Sequence, residues 1–85
     1  MAYEIIIRPV AKEALGRIAL PEREHIRDKI DDLSTDPFPI GHSTIEENNP
    51  DLSCIREGSH QITYRVLEED SVVDVLLVGD LERSM

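Results

Sequence analysis

Four side chains suited to phosphate or proton chemistry lie between positions 56 and 65. Arg56 and Arg65 carry guanidinium groups, whose planar forks match the oxygens of a phosphate. His60 has an imidazole that can titrate near neutral pH, and Tyr64 has a hydroxyl that could act as a general base. Each residue also has a structural interpretation: solvated cations for the two arginines, a turn histidine, and a tyrosine packed in the core. Both interpretations are open from the residue types alone.

These side chains belong to residues 52–79, a stretch whose pattern predicts three consecutive short strands. Gly58-Ser59 separates two alternating runs and is a hairpin signal. A two-residue loop there places Glu57 opposite His60 and Arg56 opposite Gln61. Because side chains alternate along a strand, one face should carry the core and the other the polar residues. The predicted core face has Ile55, Ile62, Tyr64 and Val66, and the predicted polar face has Cys54, Arg56, Gln61, Thr63 and Arg65.

The residues before this stretch predict a strand, two helices and a long irregular segment. Residues 3–7 form a β-branched, apolar run typical of a strand buried on both sides. Pro9 suits the start of a first helix, and Pro21 suits the start of a second helix that ends near Leu33. The short connection makes the two helices an antiparallel hairpin. Residues 34–50 are rich in proline and are predicted to be irregular.

Together these elements predict an α+β domain over residues 1–85, in the order β-α-α-β-β-β, with its helices on one face of an antiparallel sheet. An acidic turn at 68–70 leads into the last strand of a three-stranded meander. Residues 72–78 are the most apolar run, and we expect this strand to be central. Asp74 is the exception within it, and we expect its side chain to point to water.

Composition limits the possible functions of this domain. The 85 residues carry a formal net charge of -9, which opposes unassisted binding to a phosphate backbone. Such acidity fits either adaptation to high salt or an ordinary soluble surface. The single Cys54 fits a reducing cytoplasm, and no apolar run is long enough to span a membrane. The three histidines lack metal-ligand spacing, so we expect neither a metal nor a cofactor.

Three segments in order carry a resemblance to a known family: "RPVAKEALGRI" followed by "LPEREHIRDKIDDL", then "DPFPIG", then "CIREGSHQITYRV" with "VVDVLLVGDLER". Their order and spacing resemble the RelE/ParE superfamily, the toxins of type II toxin–antitoxin modules. The resemblance covers nearly the whole chain. It implies the β-α-α-β-β-β fold and a cognate antitoxin protein as partner. It also implies a target, because RelE types cut mRNA at the ribosome and ParE types poison DNA gyrase.

The resemblance also implies which residues would form a RelE-type site. Of the family's usual closing pattern, this chain keeps Arg56, Gly58, Tyr64 and the pair Val78-Gly79. Cys54, His60, Gln61, Asp80 and Leu81 stand where the family usually has other residues, several of them basic. The basic residues of the preceding loop fall near Thr44 and Glu46. The implied catalytic residues are Arg56, His60, Tyr64 and Arg83, with Arg56 and Arg65 as phosphate-binding residues.

These replacements matter because RNA cleavage needs cations around a developing negative charge. Loss of one such donor typically lowers the rate by about 10²–10³-fold. We therefore expect a toxin of the RelE type, an mRNA endoribonuclease fold with a depleted catalytic site. The alternatives are a non-catalytic homologue that only binds an antitoxin, and a ParE-like inhibitor of DNA gyrase.

Overall fold

The structure is a computed structural model that describes residues 2–39, 41–46 and 49–80, with side chains described throughout these ranges except over 43–51. It contains five strands and two helices. In chain order these are β1 (Glu4–Ile7), α1 (Pro9–Gly16), α2 (Glu22–Asp32), β2 (Ser43–Glu46), β3 (Asn49–Glu57), β4 (His60–Leu67) and β5 (Val72–Asp80). A short 3₁₀ turn over Glu68–Asp70 joins β4 to β5. The predicted α+β class is confirmed.

The five strands form one sheet in the order β1-β5-β4-β3-β2. The β3–β4 hairpin has the predicted register, with Glu57 opposite His60 and Ser53 opposite Tyr64. Strand β5 continues the meander antiparallel to β4, with a bulge after Thr63. Strand β1 lies on the other side of β5 and runs parallel to it. The first strand of the chain is therefore held by the last.

Both helices pack on the same face of the sheet. Each is too short to be stable alone in water, and each buries an apolar stripe against the sheet. Helix α1 buries Ala11 and Leu15, and helix α2 buries Ile26 and Ile30. The sheet meets them with the predicted core face of the hairpin and with the inward residues of β5. The resulting core contains Leu33, Ile55, Ile62, Tyr64, Val66, Val73, Val75 and Val78 in addition to the helix residues.

Four details of the predicted architecture were wrong. Strand β1 is an edge strand with only one covered face, and its Ile6 is 41% exposed. Residues 43–46 form strand β2 rather than irregular structure, and β3 already begins at Asn49. The middle position of the sheet belongs to β4, while β5 lies between β4 and β1. The fourth error concerns Asp74, which is buried. Within the described ranges, no helix is long and apolar enough to cross a membrane.

Candidate functional site

No second layer of the described residues covers the side of the sheet turned away from the helices, and we call this side the open face. Alternation along the strands places three arginines on it, namely Arg8 after β1, Arg56 on β3 and Arg65 on β4. Its other described side chains are Glu4, Ile6, Leu52, Cys54, Gln61, Thr63, Leu67, Val72, Asp74 and Leu77. The predicted polar face of the hairpin is thus part of a larger surface that also includes β5 and β1.

Arg56 and Arg65 lie at opposite ends of the hairpin's open side. Arg56 is opposite Gln61, near the turn, and Arg65 is opposite Leu52. Four residues of strand separate the two positions, which corresponds to about 13 Å. Both side chains are exposed. The two arginines therefore start from separate positions on the open face.

Arg8 and Asp74 form an ion pair beside Arg65 that the sequence analysis missed. The Arg8 Nε and Nη2 atoms donate to Asp74 Oδ1 and Oδ2, each at 2.8 Å. The Asp74 side chain is only 4% exposed, whereas that of Arg8 is 55% exposed. The Arg8 hydrogen bonds lower the pKa of the Asp74 carboxyl, burial acts against them, and the charges of Arg8 and Arg65 lower it further. The carboxylate is thus ionised beneath a guanidinium that faces solvent.

One sequence signal for this pair was available. A single acid within the most apolar strand requires a partner if it is buried. The partner itself could not be found from the sequence, since it depends on β1 pairing in parallel with β5. That pairing sets Ile6 beside Asp74 and brings Arg8, two residues later, within reach. The Arg8 backbone is fixed as well, because its N–H donates to the Val75 carbonyl at 3.0 Å.

His60 lies on the opposite side of the sheet from Arg56, and its side chain is largely buried. Its Nδ1 atom is 3.9 Å from Glu22 Oε2, too long for a hydrogen bond. It lines a cleft of about 530 Å³ between the end of α1 and the tip of the hairpin, with Arg17, Ile18, Ser59 and Asp80 among the other lining residues. The structure therefore places this imidazole with the helices and not with the arginines of the open face.

Tyr64 also points away from the open face. Its ring is fully buried in the core, and its hydroxyl donates to the Pro37 carbonyl at 2.7 Å. Burial raises the pKa of this hydroxyl to about 12, with smaller contributions from Cys54 and Asp36. The hydroxyl thus connects the sheet to the proline-rich loop and is protonated at neutral pH.

The remaining predicted positions add little to the open face. Cys54 and Gln61, two of the positions at which the family resemblance implies basic residues, lie half-buried on it. Arg83 and Leu81 lie outside the described residues, and so do the side chains of Thr44 and Glu46. In the described part of the chain, no three His, Cys, Asp or Glu side chains are grouped so that they could hold a metal ion.

Solved structures of bacterial and archaeal toxins have the same arrangement of strands and helices. The RelE–RelB complex of Pyrococcus horikoshii superposes with a TM-score of 0.85 at 22% identity, covering 99% of this chain and 100% of that one. The intact RelBE toxin–antitoxin complex of Escherichia coli gives a TM-score of 0.78 at 26% identity, covering 96% and 100%. By fold, the chain belongs to the RelE/ParE superfamily.

Other members of the RelE/ParE superfamily are similar at lower identity. The YoeB/ParE toxin of Agrobacterium tumefaciens gives a TM-score of 0.74 at 17% identity, covering 91% of this chain and 96% of that one. No protein-family model matches the sequence. No curated protein sequence matches it either. The relationship to the RelE/ParE superfamily is therefore visible in the fold.

Proposed function

We propose that the chain is the toxin of a type II toxin–antitoxin module and acts on mRNA in the RelE manner, with a weakened cleavage site. The observation that carries this proposal is the similarity to the RelBE complex of E. coli, at 26% identity over 96% of the chain. Both the E. coli and P. horikoshii relatives are found in complexes with a RelB antitoxin. A cognate antitoxin is therefore the expected partner, and the cytoplasm the expected compartment.

In RelE-type cleavage the ribose 2′-hydroxyl attacks the adjacent phosphorus and loses its proton. The bond from phosphorus to the 5′-oxygen breaks, and that oxygen takes up a proton. The reaction leaves a 2′,3′-cyclic phosphate and a 5′-hydroxyl. Cations stabilise the charge that develops on the phosphate oxygens, and an acid and a base transfer the protons.

The open face supplies cations for the phosphate charge better than it supplies an acid and a base for proton transfer. Arg56 and Arg65 are exposed there and can contact the phosphates of a bound strand. Its described side chains include no histidine. Of its two carboxylates, that of Asp74 is bound to Arg8 and that of Glu4 lies exposed on the edge strand β1. His60 and Tyr64, which the family resemblance suggested for proton transfer, lie on the helix side. Arg83 stays a prediction. We therefore expect slow cleavage that depends on the ribosome.

Expression in a bacterial host tests the proposal. Induction should arrest growth, and primer extension should show cuts within translated messages. Co-expression of the antitoxin from the neighbouring reading frame should restore growth. Arg56→Ala should reduce cutting at least tenfold, whereas Arg17→Ala should leave it unchanged. Arg17 is a suitable control because it is an exposed arginine directly after α1, paired with Glu13 on that helix and remote from the open face.

Two other outcomes correspond to the alternatives. Arrest without cuts, together with loss of DNA supercoiling activity, would identify a gyrase inhibitor, an outcome that the similarity to the YoeB/ParE toxin makes worth testing. Absence of arrest would contradict both toxin readings. The chain would then be a non-catalytic antitoxin-binding homologue, which the absence of a histidine among the described side chains of the open face favours.

A further inference from the structure

We propose that Arg8 and Arg65 form a phosphate-binding position on the open face, ordered by Asp74, that takes the backbone of a single-stranded RNA. This position is separate from Arg56 and lies at the β1–β5–β4 side of the sheet. Neither Arg8 nor Asp74 is among the residues that the family resemblance implies. The inference rests on the proposed function only for the class of ligand, since an RNA substrate is what would bring phosphates to this face.

The geometry of the Arg8–Asp74 pair leaves part of the guanidinium group available. Asp74 receives one hydrogen bond from Nε and one from Nη2. A guanidinium has five N–H groups, so three remain, one on Nη2 and two on Nη1. The Arg8 side chain is 55% exposed, and these groups can therefore meet a ligand from solvent. A phosphate accepts two parallel N–H bonds from such an edge.

Asp74 acts as a positioning residue here because it does not itself contact the solvent. Its carboxylate is 4% exposed and accepts two hydrogen bonds from Arg8, so its role is to hold that guanidinium in place. Holding an arginine in one orientation before the ligand arrives reduces the conformational entropy lost on binding. The hydrogen bond from the Arg8 N–H to the Val75 carbonyl fixes the backbone at the same point.

Arg65 supplies the second cation of this position. In the sheet register it lies directly opposite Asp74 on β4, and Ile6 lies opposite Asp74 on β1. Neighbouring strands are about 4.8 Å apart, so Arg65 and Arg8 flank the same carboxylate. The charge of Arg65 contributes to the lowered pKa of Asp74. Two guanidinium groups and one carboxylate leave one net positive charge, on a molecule whose formal charge is -9.

The α1 helix provides a pair with the same charges and no such arrangement. Arg17 and Glu13 are joined through Nη2 and Oε1 at 2.6 Å, with side chains that are 77% and 66% exposed. They are four residues apart on a helix surface and have no second cation opposite them in a sheet. This pair allows substitutions that match those at Arg8 and Asp74 in charge but not in position.

The experiment measures binding of a short, labelled single-stranded RNA at low salt by fluorescence anisotropy. Two double variants keep the net charge of the wild type, R8A/D74V and E13A/R17A. The first also leaves no buried carboxylate without a partner, so it should fold. We expect R8A/D74V to bind RNA about tenfold more weakly than the wild type. A plot of log affinity against log salt concentration should also be less steep by about 0.7, the value for one phosphate contact with a single strand. E13A/R17A should bind like the wild type.

The single variant Arg65→Ala, compared with Arg17→Ala, tests the second cation in the same assay. Each removes one positive charge, and only Arg65→Ala should weaken binding by more than about threefold. The site would be overturned if R8A/D74V bound RNA as tightly as the wild type or more tightly, because Asp74 would then be a competing anion. Absence of binding by the wild type would overturn it too.

These outcomes are independent of the test in cells. Cuts in mRNA combined with unchanged RNA binding by R8A/D74V would overturn the phosphate position and leave the nuclease proposal standing. Weakened binding by R8A/D74V without any cuts in cells would support the phosphate position and contradict the nuclease proposal.

Discussion

Asp74 remains ionised inside the molecule because Arg8 holds both of its oxygens. Its pKa in the folded state lies below the ordinary value of 3.8, so the unfolded chain binds the proton first as pH falls. The stabilisation is fully present above about pH 4 and is lost progressively below it. We predict that Asp74→Asn lowers the urea midpoint at pH 7, and that the difference from the wild type narrows as pH falls below 4. Asp28→Asn, an exposed substitution on α2, is the control. A difference in urea midpoint between Asp74→Asn and the wild type that stays constant below pH 4 would contradict this role.

Tyr64 gives a prediction at the opposite end of the pH scale. Its hydroxyl has a pKa of about 12 in the folded protein, against an ordinary value of 10.0, so the unfolded state loses its proton first as pH rises. Stability should therefore decrease between pH 10 and pH 12. Tyr64→Phe removes the bond to the Pro37 carbonyl and should cost about 1–2 kcal/mol at neutral pH, with a smaller alkaline decrease. Urea unfolding across this range, with Tyr3→Phe as control, measures both effects. If the free energy of unfolding decreased equally with pH for the wild type and Tyr64→Phe, Tyr64 would not be the cause of the alkaline decrease.

The β3–β4 hairpin depends on one backbone conformation at its turn. Gly58 has a φ of 62°, and Ser59 does not share a positive φ, the pattern of a type II′ turn. A Cβ at Gly58 would meet no atom within 4 Å, so the cost of Gly58→Ala is purely conformational. We expect a loss of about 1–2 kcal/mol.

Gly16→Ala is the matched control for this hairpin prediction. It also meets open space, but it lies at the end of helix α1, where alanine is favoured. Thermal unfolding should therefore show a lower midpoint for Gly58→Ala and an equal or higher one for Gly16→Ala. The idea fails if both variants move in the same direction.

The elements that local pattern defines were predicted well, and those that depend on distant pairing were not. The hairpin register, both helices and the fold class follow from alternation, from proline positions and from the turn at Gly58. Strand β2 was missed because its pairing with β3 overrides the proline-rich composition around it. The exposed face of β1 was missed because it depends on the position of that strand at the edge of the sheet, which the apolar run does not reveal. The same non-local pairing creates the Arg8–Asp74 contact.

For the candidate site, the sequence predicted part of the set of side chains that share the open face, and the role of that face stays a prediction. Arg56 and Arg65 are on the open face because side chains alternate along a strand, which is visible in the sequence. The same alternation puts Tyr64 on the core face, and it applies to His60 as well. What the sequence could not show is that one apolar strand hides a carboxylate. Burial depends on which strand lies beside it.

The whole molecule carries 18 acidic and 9 basic residues, hence the net charge of -9. Repulsion among these charges destabilises a compact state and is screened by salt, with a Debye length of about 3 Å at 1 M. We predict that the melting midpoint rises between low salt and molar potassium chloride, as expected for adaptation to high salt. Circular dichroism during heating measures it. A midpoint that does not rise above its low-salt value would favour an ordinary soluble acidic surface.

The parallel pairing of β1 with β5 has a consequence during synthesis. Arg8 and Asp74 are 66 residues apart in the chain. At about 5–20 residues per second, a ribosome needs roughly 3–13 s to add that length. Strand β1 has no partner in the sheet during this interval, and the open face lacks its β1 edge. A nascent chain can therefore pair β3 with β4 before β5 is made, but the surface proposed to bind RNA is completed only when the last strand emerges.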